Sequence, residues 1–233
     1  MHGSCSTERL PAIRPRLMPV VALLAGSVGA LLGFAADRLA TRWPDHETPA
    51  GTAPTRRLDW RTVVVMVAGL ASLAGLFARW DEPRDVLVLA IYFAALIVLL
   101  ATDLDQKLLP DLITFPLMAY ALALLVLGWN PLLDGKSLGI ISAVAAGIGA
   151  PVLLFISDRL LGGALGMGDL KLAVSLGLMS GVSGLFAGFL IASALSSVVL
   201  LVLIASRRIG LRSAIPFGPI LIAAGIVAAL LPA

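Results

Sequence analysis

The sequence predicts an all-α polytopic membrane protein with about eight transmembrane helices, and composition and charge pattern carry that prediction. Hydrophobic residues make up 59% of the 233 residues, charged residues make up 13%, and the mean hydropathy is +1.01. Soluble domains carry about 25% charged residues, so a soluble globular fold is excluded. The charged residues lie between apolar runs, and a run of about 20 residues crosses the bilayer as a helix. The length leaves almost no room for a domain outside the membrane.

Eight apolar runs, separated by polar turns and loops, are the predicted spans. They lie at about residues 17–36, 62–78, 86–101, 112–127, 138–156, 170–180, 185–205 and 215–233. The first run is longer than the core of a signal peptide and ends in Asp37-Arg38 rather than in a small-residue cleavage site, so we interpret it as a retained span. Gly29 and Gly33 within it have the spacing that lets another helix approach closely.

The sixth and seventh runs come from one apolar stretch, 170–206, which at about 1.5 Å per residue is too long for a single span. Small and polar residues at 180–184 offer a place to turn. The sixth span is then about half the usual length. On this division, residues 1–85 hold a disordered polar arm (1–16), two spans and a polar loop at 37–61. Residues 86–233 form a six-span domain.

Net charge and the small numbers of cysteine and histidine residues limit the partners and metal sites that the chain can have. The chain carries a net charge of +3, but its Lys and Arg residues are spread over the span ends rather than gathered in one patch. Basic residues placed in this way orient the spans of a membrane protein. The distribution therefore predicts the lipid bilayer, not a nucleic acid, as a partner. The single cysteine, Cys5, excludes an internal disulfide and a Cys-rich zinc site. Because His2 and His46 lie in polar segments far from the acidic motifs, no metal site is predicted.

Two short acidic stretches stand at the mouths of apolar runs. Asp103 and Asp105 follow the third run, and Asp169 follows Gly166 and Gly168 directly before the sixth. An ionisable residue in such a place is expensive and is by default a candidate functional residue. Two predicted spans separate the stretches, so both open on the same side of the membrane.

The distribution of Lys and Arg predicts which side this is. The face that carries the loop 37–61 and both acidic stretches holds 11 of the 17 Lys and Arg residues, and the other face holds 6. By the positive-inside rule, the acidic face and the loop are cytoplasmic.

A pair of carboxylates brought within a few ångströms can catalyse peptide hydrolysis. The two groups cannot both ionise easily, so one keeps a proton while the other stays charged. Such a pair activates a water and protonates a leaving amine, which is the chemistry of an aspartic peptidase. Both histidines lie outside the apolar spans, so no Ser-His or Cys-His arrangement competes, and a zincin signature is absent.

Simpler interpretations of each residue stay open at this point. Asp103 and Asp105 are also what an ordinary span end carries, and Asp169 is a favoured residue type for a helix N-cap. Lys171 is typical of a snorkelling anchor. A small transporter or channel with cation-binding aspartates is the alternative function. The sequence shows no recognisable inverted repeat with paired broken helices, which counts against a transporter.

Three stretches resemble the motifs of the type IV prepilin peptidases, which belong to the GxGD intramembrane aspartyl proteases. Residues 166–172 (GMGDLKL) resemble the GxGDxKL signature, and residues 102–111 (TDLDQKLLPD) resemble the first motif of that family. Residues 215–219 (IPFGP) are similar to a third stretch near the last span. The resemblance covers about residues 86–233 and implies the fold of a GxGD protease bundle.

The resemblance implies an activity and its two central residues. Asp103 matches the first catalytic aspartate and Asp169 the second, while Asp105 is a secondary candidate for the first role. Members of the family cleave a basic leader peptide from prepilins, and from the pseudopilins of type II secretion, at the cytoplasmic face of the prokaryotic plasma membrane. A catalytically silent relative is an alternative that the motifs leave open.

The remaining motif residues are expected to support the pair. By the resemblance, Gly166 and Gly168 let the backbone approach the substrate, Lys171 supplies a supporting charge, and Asp111 caps or orients the fourth span. Many members also methylate the new N-terminus with S-adenosylmethionine and carry two zinc-binding CxxC pairs in their first loop. The loop 37–61 has no cysteine. We therefore expect no zinc, and S-adenosylmethionine only if methylation is retained.

Overall fold

A computed structural model describes most of the chain as helices. The described residues are 14–43, 58–133, 137–161, 165–205 and 217–231. They form seven helices: α1 (Arg14–Ala40), α2 (Trp60–Arg79), α3 (Pro83–Gln106), α4 (Asp111–Leu127), α5 (Ser137–Leu161), α6 (Met167–Ala205) and α7 (Gly218–Leu230). By length and composition, five of them can cross a membrane, and α4 and α7 are shorter apolar helices. The all-α membrane fold is confirmed, whereas the predicted count of eight spans is not.

Several helices extend past the predicted spans. α1 begins at Arg14, inside the stretch predicted to be a disordered arm, and continues to Ala40, inside the predicted loop. α3 continues to Gln106, beyond the predicted end of the third span, and so includes the first acidic stretch. A hydropathy boundary marks where the hydrocarbon ends, but a helix can continue into the polar interface. The candidate carboxylates Asp103 and Asp169 therefore lie on helices rather than in loops.

α6 joins the predicted sixth and seventh spans into one element of 39 residues with a single non-helical residue, Gly181 (φ 64°, ψ −176°). On one side of Gly181, Leu176 packs against Gly225 of α7, and on the other side Gly188 packs against Ala224 of α7. A straight helix would separate Leu176 and Gly188 by about 18 Å, too far to meet neighbouring residues of α7. The chain therefore bends inside the predicted turn 180–184.

α3 lies at the centre of the bundle. Leu89, Tyr92, Phe93 and Leu96 of this helix are fully buried, and α3 packs against α1, α2, α4 and α7. α5, by contrast, leaves large apolar side chains such as Ile141 exposed. This is the arrangement of an integral membrane protein whose outer helices face lipid.

α1 and α2 form a tightly packed pair beside α3. A Cβ atom at Gly29 would overlap the carbonyl of Gly69, and one at Gly33 would lie 2.5 Å from the carbonyl oxygen of Val65. The predicted close approach of a helix at Gly29 and Gly33 is confirmed, and its partner is α2. This pair is called the N-terminal hairpin below.

Candidate active site

Asp103 lies in the last turn of α3, facing the interior of the bundle. Its residue is 5% exposed, and among the described residues no hydrogen-bond donor reaches its Oδ2 atom. The helix ends at Lys107, whose N–H donates to the Asp103 carbonyl oxygen at 2.9 Å. Lys107 has a left-handed backbone (φ 55°), the conformation that usually ends a helix at glycine.

Asp169 lies in the first turn of α6. Its own N–H donates to the Gly166 carbonyl oxygen at 3.1 Å, and its Oδ2 accepts a bond from the Gly166 N–H at 3.4 Å. This is the return half of a capping box, in which an acidic third residue of the helix reaches back to the N-cap. The sequence offered Asp169 as the N-cap of this helix. The N-cap is instead Gly166, three residues earlier, and the Asp169 side chain accepts the hydrogen bond from its N–H.

The end of α3 and the start of α6 bring the two predicted catalytic residues within electrostatic range. The charges of Asp169 and Lys107 both act on the Asp103 carboxylate. Asp169 is 9% exposed, so both carboxylates are shielded from solvent by protein. The two acidic stretches predicted to open on one side of the membrane thus each place one buried aspartate in this region of the bundle.

The start of α7 supplies the third wall of the site. A Cβ atom at Gly218 would lie 2.7 Å from Oδ2 of Asp103 and 2.8 Å from its Cγ, so only a residue without a side chain fits against this carboxylate. Sequence reasoning named the stretch 215–219 but no contact within it. Ile215 and Pro216 lie outside the described residues.

Asp105 pairs with a residue of another element. Its Oδ1 lies 3.1 Å from Nη1 of Arg61, at the start of α2. Asp105 is therefore engaged by the N-terminal hairpin, although the sequence made it a candidate for the role of Asp103.

The predicted supporting residues join the two motifs to each other. Lys171 Nζ donates to Asp111 Oδ1 at 2.6 Å and lies 4.5 Å from the centroid of the Phe115 ring. A Cβ atom at Gly168 would lie 2.7 Å from Cβ of Leu109, so this glycine admits the connection between α3 and α4. Lys171 and Gly168 thus hold the segment after Asp103 against the helix that carries Asp169.

The arrangement can perform acid–base chemistry on a bound peptide. Two shielded carboxylates from separate helices lie within electrostatic range of each other, one at a helix N-terminus and the other at a helix C-terminus. Within the described ranges, no three His, Cys, Asp or Glu side chains form a group that could hold a metal ion. His2, His46 and Cys5 lie outside those ranges.

Comparisons with known proteins are consistent with this geometry. The model of a family described as "Type IV leader peptidase family" matches residues 90–203, which include both carboxylates. A prepilin leader peptidase/N-methyltransferase of Pseudomonas putida is 32% identical over 182 residues, which cover 77% of this chain and 62% of that protein. Proteins of the same description from Dickeya chrysanthemi and Aeromonas salmonicida are 30% and 34% identical, over 72% and 76% of this chain and 59% and 55% of their own lengths.

The chain thus spans between 55% and 62% of the length of these relatives. No solved structure is significantly similar to it.

Proposed function

Because this chain belongs to the type IV leader peptidase family, we propose that it is a membrane aspartic endopeptidase that cleaves the leader from type IV prepilins or prepilin-like proteins. The observation that supports the proposal is that Asp103 and Asp169, two shielded carboxylates from two motifs, lie within electrostatic range of each other. Nothing in the described helices favours the transporter alternative over this reaction.

In the proposed reaction, Asp169 is the base and Asp103 is the acid. Asp169 lies at a helix N-terminus and accepts a bond from the Gly166 N–H, and both features favour a negative charge. Asp103 lies at a helix C-terminus, which disfavours a negative charge, and no described donor reaches its Oδ2. The shared proton therefore resides on Asp103.

The bond changes follow from that division. The water oxygen attacks the carbonyl carbon of the scissile peptide while Asp169 takes a proton from the water and Asp103 donates its proton to the carbonyl oxygen. The tetrahedral intermediate then loses its hydroxyl proton to Asp103 as the C–N bond breaks, and Asp169 returns a proton to the leaving amine. One water is consumed, and the leader leaves with a new carboxylate.

The substrate and the location of the site are parts of the same proposal. The relatives named above are prepilin leader peptidases, and a prepilin with a basic leader and a hydrophobic helix suits a site at the rim of an apolar bundle. The membrane face that carries both acidic stretches also holds most of the Lys and Arg residues. This excess supports a cytoplasmic active site in a prokaryotic plasma membrane. We propose that the substrate comes from a pilus or a type II secretion system.

We propose further that the chain cleaves without methylating. The relatives are also named N-methyltransferases, but the loop 37–61 carries no cysteine that could contribute to paired zinc sites. On this proposal neither zinc nor S-adenosylmethionine takes part in the reaction.

The first prediction tests the two carboxylates. A model prepilin is co-expressed with the wild type, Asp103→Asn or Asp169→Asn, and cleavage is followed by mass spectrometry of the mature N-terminus. We expect each substitution to lower the cleavage rate by about 100-fold or more, because each removes one partner of the acid–base pair. We expect the mature N-terminus to lack the mass of a methyl group.

The control lies on the same helix as Asp103. Asp85 stands in the first turn of α3 and pairs with Arg84 at 3.1 Å, at the opposite end of the helix. Asp85→Asn should cleave like the wild type. Full cleavage by Asp103→Asn or by Asp169→Asn would refute the role of that residue, and a methylated product would refute the proposal of cleavage alone.

A further inference from the structure

The last turn of α3 has a charge arrangement that a helix end disfavours. Asp103 and Asp105 both lie there, and the turn contains no basic residue. The C-terminus of a helix carries a partial negative charge, so the Asp105 carboxylate is disfavoured in this turn, and so is Asp103 whenever it has given up its proton. Lys107, directly after the helix, acts on Asp103, whereas Asp105 has its ion-pair partner on another element.

The N-terminal hairpin supplies the cation that pairs with Asp105. Arg61 Nη1 lies 3.1 Å from Asp105 Oδ1. The Asp105 side chain is 12% exposed and the Arg61 side chain is 35% exposed, so solvent screens the pair in part. Arg61 lies in the first turn of α2, before the residues that the family model matches. The pair therefore joins a helix outside the matched segment to a residue two positions from Asp103.

Two further hydrogen bonds join the hairpin to the same place. Gln106 Nε2 donates to the carbonyl oxygen of Ala40, at the end of α1, at 2.7 Å. Thr62 Oγ1 donates to Oδ2 of the buried Asp37 at 2.8 Å, which ties α1 to α2 one residue from Arg61. The end of α1 and the start of α2 thus act as one unit against the last turn of α3.

We propose that Arg61 is a positioning residue, which holds the last turn of α3 through Asp105 and thereby keeps Asp103 between Asp169 and Gly218. This inference rests on the proposed function. It also gives Asp105 a role. Asp105 forms the ion pair with Arg61, whereas Asp103 carries the proton.

The test is a kinetic comparison of purified full-length variants on a model prepilin. We expect Arg61→Gln to lower kcat about tenfold with KM unchanged, since the chemical groups remain but their alignment is lost. Arg61→Lys should restore most of kcat. The double variant Arg61→Gln/Asp105→Asn should be no slower than Asp105→Asn alone, because Arg61 acts through Asp105.

The chain offers a matched control at the other end of α3. Arg84 and Asp85 form an ion pair of the same length, 3.1 Å, far from the site. Arg84→Gln should leave kcat and KM unchanged. The thermal unfolding midpoint of each variant in detergent separates a loss of folded protein from a loss of alignment.

Three results would overturn the proposal. The first is a kcat of Arg61→Gln equal to that of Arg84→Gln. The second is a double variant whose loss of kcat is the product of the two single losses, and the third is a loss of kcat that the unfolded fraction alone explains. If Arg61→Gln does not fold, Arg61→Lys and Asp105→Asn are compared instead, and equal wild-type kcat in both overturns it. Failure of the proposed function looks different, because the wild type is then inactive or Asp103→Asn is active.

Discussion

The first half of α6 (167–180) runs between two polar regions, the bend at Gly181 and the candidate active site, which differ in which polar groups find a hydrogen-bond partner. At the bend, Asn130 Nδ2 donates to the carbonyl oxygens of Leu178 at 3.1 Å and Met179 at 3.0 Å. Ser142 Oγ accepts a bond from the Val182 N–H at 2.9 Å. These backbone groups, which a break in the helix leaves without intrahelical partners, are therefore satisfied by side chains from neighbouring elements.

At the other end of this segment, the site leaves a polar atom without such a partner. Asp103 Oδ2 is buried and accepts no hydrogen bond from the described residues. At the bend, only the Ser180 hydroxyl is in the same position. Burying an unpaired polar atom costs free energy at both places. They differ in that the bend pairs its free backbone groups and leaves only a hydroxyl, whereas the site leaves a carboxylate oxygen that a substrate or water can engage. Substitutions at the site should change activity, and substitutions at the bend should change stability.

The largest effect is expected from Gly218→Ala. A Cβ atom at this position would lie 2.7 Å from Asp103 Oδ2, and the φ angle of Gly218 is not positive, so the effect comes from the contact and not from the backbone. The carboxylate must move away from Asp169. We expect cleavage of a model prepilin to fall about 100-fold, with little change in the unfolding midpoint.

Gly149→Ala is the matched control for Gly218→Ala. Gly149 lies within α5, and a Cβ atom there would meet nothing within 4 Å. This variant should cleave like the wild type and be slightly more stable, as expected for alanine in a helix. If Gly218→Ala is as active as Gly149→Ala, α7 does not form a wall of the site.

The elements of the site were predictable from the sequence, but most of its contacts were not. Hydropathy located the ends of the apolar runs, and Asp103 and Asp169 stood out because they lie in stretches that resemble two motifs of one family. Spacing along the chain cannot show that the start of α7 turns toward Asp103, so the contact of Gly218 was missed. Arg61 and Asp105 are 44 positions apart, and no periodicity in the sequence links them.

The bend in α6 shows a second limit of sequence reasoning. Glycines and serines at 180–184 indicated a turn, but they could not show that one residue, Gly181, would suffice without a loop. Such a bend depends on distant partners for its free backbone groups. Asn130 and Ser142 lie in other elements and are unremarkable in the sequence, so their role becomes visible only in the fold.

Asn130→Leu should have the second-largest effect, on stability rather than on cleavage. It removes both donated bonds and leaves two buried carbonyl oxygens unpaired, at a cost of about 1–3 kcal/mol in the free energy of unfolding. Denaturant titration in detergent measures this loss. Asn130→Asp shows whether the loss arises at the bend or in the turn that contains Leu132. It keeps the oxygen that accepts the Leu132 N–H at 3.0 Å but loses the Nδ2 donor that bonds to the bend. Wild-type stability in Asn130→Asp would mean that the turn, not the bend, depends on Asn130.

Ser142→Ala should have the smallest effect. It removes only the oxygen that accepts the Val182 N–H, and loss of a comparable helix cap costs about 1 kcal/mol. Ser197→Ala is the control, since the Ser197 hydroxyl donates to the Ser193 carbonyl oxygen on an exposed face of α6 and should be nearly neutral. Cleavage per folded molecule should not change in either variant. If Ser142→Ala slows cleavage while its unfolding midpoint stays at the wild-type value, the bend takes part in the reaction, and the division between a stable bend and a reactive site is wrong.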